Sequence, residues 1–531
     1  MNKTLFVIPA IKKNAIIPDQ LVKNLNGITL IQRAIDTAIA LVNKKNILVV
    51  TDSEEISLIC SRNQVNYCYE VSLKLDSENI LLKLSDILYS YQSKFINMIL
   101  YRANAPLVSK NEIMEAYSLF LKNQNKTLTS VKLDSRTMYK SVDGNLSILQ
   151  NNEMILYEEV KAFKIISFSS LFQNIIVEIP YILPHEKSIE IESYQDWWVC
   201  EKVLQRKRIV FNVIGSLEFG MGHIYHSLAL AHEITDHEVI FVCDEKYKIA
   251  VDKIASMDYK VISTRDTLKI ILDLSPSIVI NDILNTKLEY ISKLKDNNII
   301  VVNFEDLGNG TKKADLVINE LYDIPQLEGD NFLWGYKYIT LRNEFDNATP
   351  HKFESDVKAV LITFGGTDQN NLTLQTLKSI IHVAQNKNIK IYIVCGGGYL
   401  FKEKLEEYLC GLEYKNIELT YAIGVISKIM EKTQIAFSSN GRTVYELADM
   451  NIPSIVMSHH EREATHSFAT LEKGFLNLGI YKKNITDRLI SSSFEKLVND
   501  DDYRKLLYLN IKKYSFRENK QKVVKKIMEL L

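Results

Sequence analysis

The residues best suited to chemistry lie in four short segments of the C-terminal three-fifths of the chain. In Gly220-Met221-Gly222-His223 two glycines let main-chain N–H groups approach a ligand, and the helix expected over Ile224–Glu233 offers an N-terminus that favours anions. His223 then stands at the mouth of that loop, a side-chain type that titrates near neutrality and suits general base work. Thr363-Phe364-Gly365-Gly366-Thr367-Asp368 runs from a hydrophobic strand into a glycine pair and polar residues, the form of a phosphate-facing turn. In Ser439-Asn440-Gly441-Arg442-Thr443-Val444-Tyr445-Glu446, Gly441 permits close backbone approach and Thr443 opens a helix toward a pyrophosphate. Arg442 would pair with a phosphate, and Glu446, one turn on, would accept hydrogen bonds from ribose hydroxyls. The fourth segment is His459-His460-Glu461-Arg462-Glu463-Ala464-Thr465-His466. Its first two histidines are adjacent and point apart, and no pair has a familiar zinc spacing, so sugar recognition by Glu461, Arg462, Glu463 and His466 is the expectation rather than a metal.

These segments need strands to position them. Arg208–Ile214, Glu238–Cys243, Ile278–Ile280 and Ile299–Asn303 read as strands of one doubly wound lobe, and Val357–Phe364, Ile389–Val394, Ile435–Ser438 and Ser454–Met457 as strands of a second. The polar stretch Asn343–Ser355, with Pro350, reads as the linker. Each segment follows a strand, and open α/β sheets bind ligands at the carboxyl ends of their strands, so two facing lobes make a cleft for a dinucleotide-sized ligand. Upstream, Thr4–Pro9, Asn46–Thr51 and Met98–Tyr101 read as strands, with a helix over Thr29–Leu41, which predicts a mostly parallel sheet covered by helices. The expected units are residues 1–205, 206–350 and 351–531.

At 531 residues the chain is too long for a single core. Its 64 basic and 65 acidic side chains nearly cancel, which gives no support for a nucleic-acid-binding surface. No apolar run approaches the roughly 18–20 residues that span a bilayer, and the apolar stretch at Met1–Ala10 is too short for a signal peptide, reading instead as a first buried strand. Six cysteines without a C-x-x-C pair fit structural thiols, so a cytoplasmic enzyme is the expectation.

The four segments in this order resemble the nucleotide-sugar hydrolases of pseudaminic acid biosynthesis, which release UDP from a diacetamido sugar and share the GT-B fold of the peptidoglycan N-acetylglucosaminyltransferase. The likeness covers about residues 207–480. It implies that His223 activates water, that Gly365, Gly366, Thr367 and Asp368 form the second-lobe turn, and that Gly441, Thr443 and Glu446 hold the nucleotide. Gly220 and Gly222 would border the sugar. The chain departs from that family at Ile214, where it has aspartate, at His226, where it has arginine, and at Glu461-Arg462-Glu463, where it has an Asn-Gln pair. The N-terminal residues Ile8-Pro9-Ala10, Gly27 and Leu30-Ile31, with Thr51–Ile56 and Ile189–Trp197, resemble the cytidylyltransferases that activate sialic-type acids. The arginine, glycine pair and lysine of that family are here Ile11, Lys12, Lys13 and Ala15, while Glu190 and Glu192 stand for its Mg²⁺-binding aspartates. Triphosphate chemistry needs those cations, so this unit is expected to be degenerate, with Lys12, Lys13 and Lys23 as partial substitutes and weak Mg²⁺ binding as its one cofactor.

The implied architecture is α/β throughout: a nucleotidyltransferase-like, Rossmann-like (GT-A-type) domain followed by a two-lobed GT-B-type domain. The expected function is hydrolysis of a nucleotide-diphosphosugar without a cofactor in the C-terminal domain, in the biosynthesis of nonulosonic acids or surface glycans. Its partners would be the nucleotide-sugar substrate and other enzymes of the glycan pathway. A glycosyltransferase on the same scaffold, a bifunctional cytidylyltransferase/hydrolase and a nucleotide-sugar-binding scaffold protein remain open at this point.

Overall fold

The computed structural model describes the chain apart from residues 12–15, 71–79, 124–125, 135, 137–138, 149–154, 174–176 and 217–219. It divides into two compact units, Met1–Arg206 and Lys207–Leu531.

The first unit is built on a seven-stranded sheet. Thr4–Ala10 lies between Ile47–Thr51 and Asn97–Tyr101, parallel to both, and Asn66–Tyr69 continues the parallel side. Tyr157–Ser167 runs antiparallel between Asn97–Tyr101 and Thr127–Leu133, with Glu178–Ile182 at the edge. Helices begin where the sequence offers an oxygen to orphan N–H groups. Ser53 caps Glu54–Asn63, and Ser109 with Glu112 and Ser193 with Asp196 form capping boxes for Lys110–Leu121 and Tyr194–Gln205.

The second unit holds two all-parallel sheets. The first has the order Val261–Thr264, Glu238–Asp244, Arg208–Val213, Ile278–Asp282, Ile300–Phe304, Leu316–Asn319 and Phe332–Trp334. The second has the order Ile417–Tyr421, Lys390–Cys395, Ala359–Thr363, Ile435–Ser439, Ser454–Ser458 and Phe475–Ile480. Strands such as Ile278-Val279-Ile280 and Val301-Val302 are apolar without alternation because helices cover both faces. In both sheets the earliest strand is central and the order reverses beside it, which places a crevice at its carboxyl end.

The last helix, Asn519–Met528, departs from the expected boundaries. Val523, Val524 and Ile527 are buried in the core of the first lobe, and Lys520 Nζ reaches Glu233 and Asp346 at 3.0 Å each. The lobe expected over 351–531 therefore gives its end to its neighbour. Two lobes exchanging a terminal helix over a shared crevice is the GT-B-type arrangement. No helix among the described residues is long and apolar enough to cross a membrane.

Candidate active site

Four adjacent parallel strands of the first lobe each deliver an ionisable group at or just beyond their carboxyl ends. Arg208–Val213 leads into the loop carrying His223, Ile278–Asp282 ends on Asp282, and Ile300–Phe304 and Leu316–Asn319 are followed by Glu305 and Glu320. Asp282 is fully buried and bridges two histidines: His223 Nδ1 lies 2.6 Å from its Oδ1, and His226 Nδ1 lies 2.6 Å from its Oδ2, where the Ser227 hydroxyl also donates at 3.1 Å. Helical spacing explains the pairing, since residues three apart share a face of the helix Gly222–His232. Burial pushes the Asp282 carboxyl up, but the two histidines facing it pull it further the other way, so it is held well below the usual carboxylate range. Both imidazoles thus donate Nδ1–H to a carboxylate. His223 lines the cleft, and its Nε2 is the ring nitrogen left for a ligand, the geometry of a base oriented by an acid. His226 is fully buried, and burial together with the Arg442 cation pulls its imidazole down to about 4, so at neutral pH it is a neutral positioning group.

The opposite wall comes from the second lobe. Gly365 and Gly366, Gly396 and Gly397, Ser439 through Thr443, and His459 and His460 all follow strands of its sheet, and nearly all of them line a cleft of about 660 Å³ shared with the first lobe. That volume suits a nucleotide-sized ligand. A Cβ on Gly396 would collide with the backbone of Gly366, so this tight packing of two glycine turns excludes any larger residue there. Arg442 pairs with Glu320, Arg342 Nε donates to Glu446 Oε1 at 2.8 Å, and Arg462 Nη2 donates to the Glu305 carbonyl at 2.7 Å. Both ring nitrogens of His459 are buried without a hydrogen-bond partner among the described residues, which leaves them for a bound molecule.

The structure sorts the expected site residues. His223, Gly220, Gly222, Gly365, Gly366, Thr367, Gly441, Arg442, Thr443, Glu446, Arg462, Glu463 and His466 all border the cleft. Two expected residues do not. Asp368 turns inward, and its oxygens accept the Leu372 and Thr373 N–H groups at 2.7 and 2.8 Å, so it caps the helix Leu372–Asn386 instead of meeting a sugar. Glu461 is exposed on the first turn of Glu461–Ala464 and does not line the cleft. Glu463 acts partly through structure, taking the His459 N–H at 2.6 Å, and His466 donates to the Asn440 carbonyl at 2.7 Å, with burial drawing its imidazole down to about 4. Sequence reading missed Asp282, Glu305, Glu320 and the Gly396-Gly397 turn. Asp282 carried a usable signal, an acidic residue ending an apolar strand, and Gly396-Gly397-Gly398 carried another.

In the first unit Glu190 Oε1 accepts the Lys161 N–H at 2.7 Å, while Oε2 is buried without a partner among the described residues. Burial raises the Glu190 carboxyl, and Glu192 is exposed. Arg102 lies in the field of both carboxylates, where a divalent cation would have to compete with its guanidinium. No group of three His, Cys, Asp or Glu side chains among the described residues is placed to hold a metal. Glu190 and Glu192 do not fit a magnesium site of their own. Lys12, Lys13 and Ala15 lie outside the described residues.

Fold and site together define a class: an α/β protein in which a nucleotidyltransferase-like unit precedes a two-lobed GT-B-type unit with an acid–histidine pair in its cleft. A cytidylyltransferase family model matches residues 7–234. Over 267 residues the chain is 27% identical to an uncharacterized protein of Methanocaldococcus jannaschii, covering 46% of this chain and 54% of that protein. Over 220 residues it is 27% identical to the pseudaminic acid cytidylyltransferase and UDP-2,4-diacetamido-2,4,6-trideoxy-beta-L-altropyranose hydrolase of Helicobacter pylori, covering 40% of this chain and 38% of that protein. The chain thus spans about half or less of the length of these curated relatives. Among solved structures, Acinetobacter baumannii MurG is similar at 12% identity and TM-score 0.45, over 61% of this chain and 99% of that one. The CMP:2-keto-3-deoxy-manno-octonic acid synthetase complexed with CTP is similar at 12% identity and TM-score 0.30, over 38% and 99%.

Proposed function

We propose that the second unit hydrolyses a nucleotide-diphosphosugar, in the first instance a UDP-(di)acetamido sugar of nonulosonic acid or surface glycan biosynthesis. The observation that carries this reading is the His223–Asp282 pair in the cleft, opposite the glycine turns of the second lobe. A water gives a proton to His223 Nε2 as its oxygen bonds to the anomeric carbon. The bond from that carbon to the diphosphate oxygen breaks, and its electron pair leaves with the nucleotide. Asp282 stabilises the imidazolium that forms, as carboxylates do for catalytic histidines. Arg442, Thr443 and the Gly365-Gly366 turn meet the diphosphate, and Glu446 meets the ribose, exchanging its Arg342 partner for the two hydroxyls.

The full-length protein, incubated with a panel of UDP-amino sugars and no acceptor, should release UDP and free sugar, resolved by mass spectrometry. UDP release that requires an added sugar hydroxyl would make it a transferase. Absence of UDP binding by calorimetry would remove the cleft reading altogether.

For the first unit we infer a cytidylyltransferase-derived domain without appreciable nucleotidyl transfer, supported by Ile11 in place of the family arginine and by the Arg102 guanidinium in the field of Glu190 and Glu192. Pyrophosphate release from CTP plus a nonulosonic acid should stay at background with Mg²⁺ present. Robust release abolished by Glu190→Gln would overturn this inference.

A further inference from the structure

Glu305 has a buried carboxyl group that the proposed hydrolysis leaves unused. It is 2% exposed and borders the cleft immediately after the strand Ile300–Phe304. Its backbone sits at φ 51°, in the left-handed region, a strained conformation for a non-glycine residue.

Three sets of bonds hold it there. The Glu305 carbonyl accepts from Arg462, its Oε1 accepts the Leu321 N–H at 3.2 Å, and the next residue is tied down by side chains behind the sheet. Asn212 donates to Asn281 Oδ1 at 3.1 Å, Asn281 to Asn303 Oδ1 at 2.9 Å, and Asn303 to Asp306 Oδ2 at 2.7 Å. This polar ladder crosses three neighbouring strands and ends on Asp306, whose N–H and carbonyl both engage Asn319. A fully satisfied network of this kind fixes one conformation. What it fixes is a carboxyl whose second oxygen, Oε2, is buried with no hydrogen-bond partner among the described residues.

Such an orphan is costly unless a ligand completes it. Rotation about the last side-chain torsion, which is broad for glutamate, exchanges the two oxygens at the cleft wall. The charges around it are Arg442, Asp282 and His223, so it lies in the acid–histidine cluster. Burial pushes its carboxyl up to about 7, against the pull of Arg442.

We propose that Glu305 is a sugar-specificity residue, accepting a hydrogen bond from an O–H or N–H donor on the glycosyl group of the bound nucleotide-sugar. This rests on the nucleotide-sugar reading of the cleft. It assigns Glu305 to the sugar end of the diphosphate, because the charges around it are the His223–Asp282 pair and Arg442, which meets the diphosphate, while Glu446, which meets the ribose, lies on the facing lobe.

Calorimetry on the full-length protein separates the possibilities, with UDP and UDP-N-acetylglucosamine as probes and His223→Asn as the background so that turnover does not consume the sugar. At pH 8, above the raised carboxyl value, adding Glu305→Gln, which keeps the shape, should leave UDP affinity within about twofold and weaken UDP-N-acetylglucosamine by about ten- to hundredfold, the range for a hydrogen bond to a charged group. Equal affinity of both proteins for the UDP-sugar would overturn the proposal, as would a parallel loss of UDP binding, which marks a purely structural role. If the background protein binds no UDP, the nucleotide-sugar reading itself fails.

Discussion

Replacing His223 by Asn should lower nucleotide release by about 10²–10⁴-fold, the usual contribution of a positioned general base, with UDP affinity changed no more than about twofold. Asn keeps polarity and can still meet the Asp282 carboxylate, so the loop and the start of the helix Gly222–His232 are retained. What is lost is the nitrogen that accepts water's proton. The rival histidines of the cleft differ in ways the structure makes explicit. His466 donates to the Asn440 carbonyl and is held neutral by burial, and His460 Nδ1 accepts the Glu463 N–H at the start of a helical turn. Neither has a carboxylate hydrogen-bonded to its ring among the described residues, so His460→Asn and His466→Asn should cost much less than His223→Asn. Near-wild-type turnover in His223→Asn alongside inactivity of either rival would move the base elsewhere in the same cleft.

Asp282→Ala should destabilise the second unit by about 3–5 kcal/mol, the cost of removing one partner from a buried charged network. The carboxylate accepts from two imidazoles and a serine hydroxyl, and all three lose that acceptor if only a methyl remains. Asp282→Asn is the sharper instrument. It preserves volume and should cost about 1–3 kcal/mol. It should also depress turnover nearly as far as His223→Asn, because an amide presents one oxygen to two Nδ1–H donors and frees an imidazole to take the wrong tautomer. Denaturant unfolding followed through Trp334, which lies in the second unit while Trp197 and Trp198 lie in the first, reads the stability. Because the folded carboxyl is held below its ordinary value, its contribution is present above the ordinary carboxylate pKa of about 3.9 and is lost only as pH falls through the depressed value. The gap between wild type and Asp282→Ala should therefore be the same at pH 6 and pH 8. Identical midpoints for the two proteins would show that Asp282 is not the centre of the network.

Much of the fold was legible because its signals are local. Apolar runs such as Ile278-Val279-Ile280 mark buried parallel strands wherever they fall, and glycines ahead of polar residues mark the turns that follow them. The edge strands Val261–Thr264, Phe332–Trp334 and Phe475–Ile480 were not anticipated, because short partly polar segments become strands through the neighbour they pair with. The fate of Asn519–Met528 was equally hidden. Its apolar stripe of Val523, Val524 and Ile527 specifies a helix with a buried face but not which of two lobes covers it.

The same division holds at the cleft. The sequence by itself determined that His223 follows a glycine loop, that Gly365-Gly366 and Gly441 follow strands, and that Ile11 stands where the cytidylyltransferases it resembles have arginine, since each is a matter of residue type and near neighbours. Only the tertiary structure decided that Asp282, 59 residues along the chain, orients His223. It decided likewise that Asp368 spends its carboxylate on a helix N-terminus and that Glu305 has one oxygen with no partner among the described residues. A carboxylate has the same letter whether it caps, pairs or waits for a ligand. Its role is set by which donors lie within about 3 Å, and in a parallel sheet those donors arrive from strands and helices that crossover connections hold far apart in sequence.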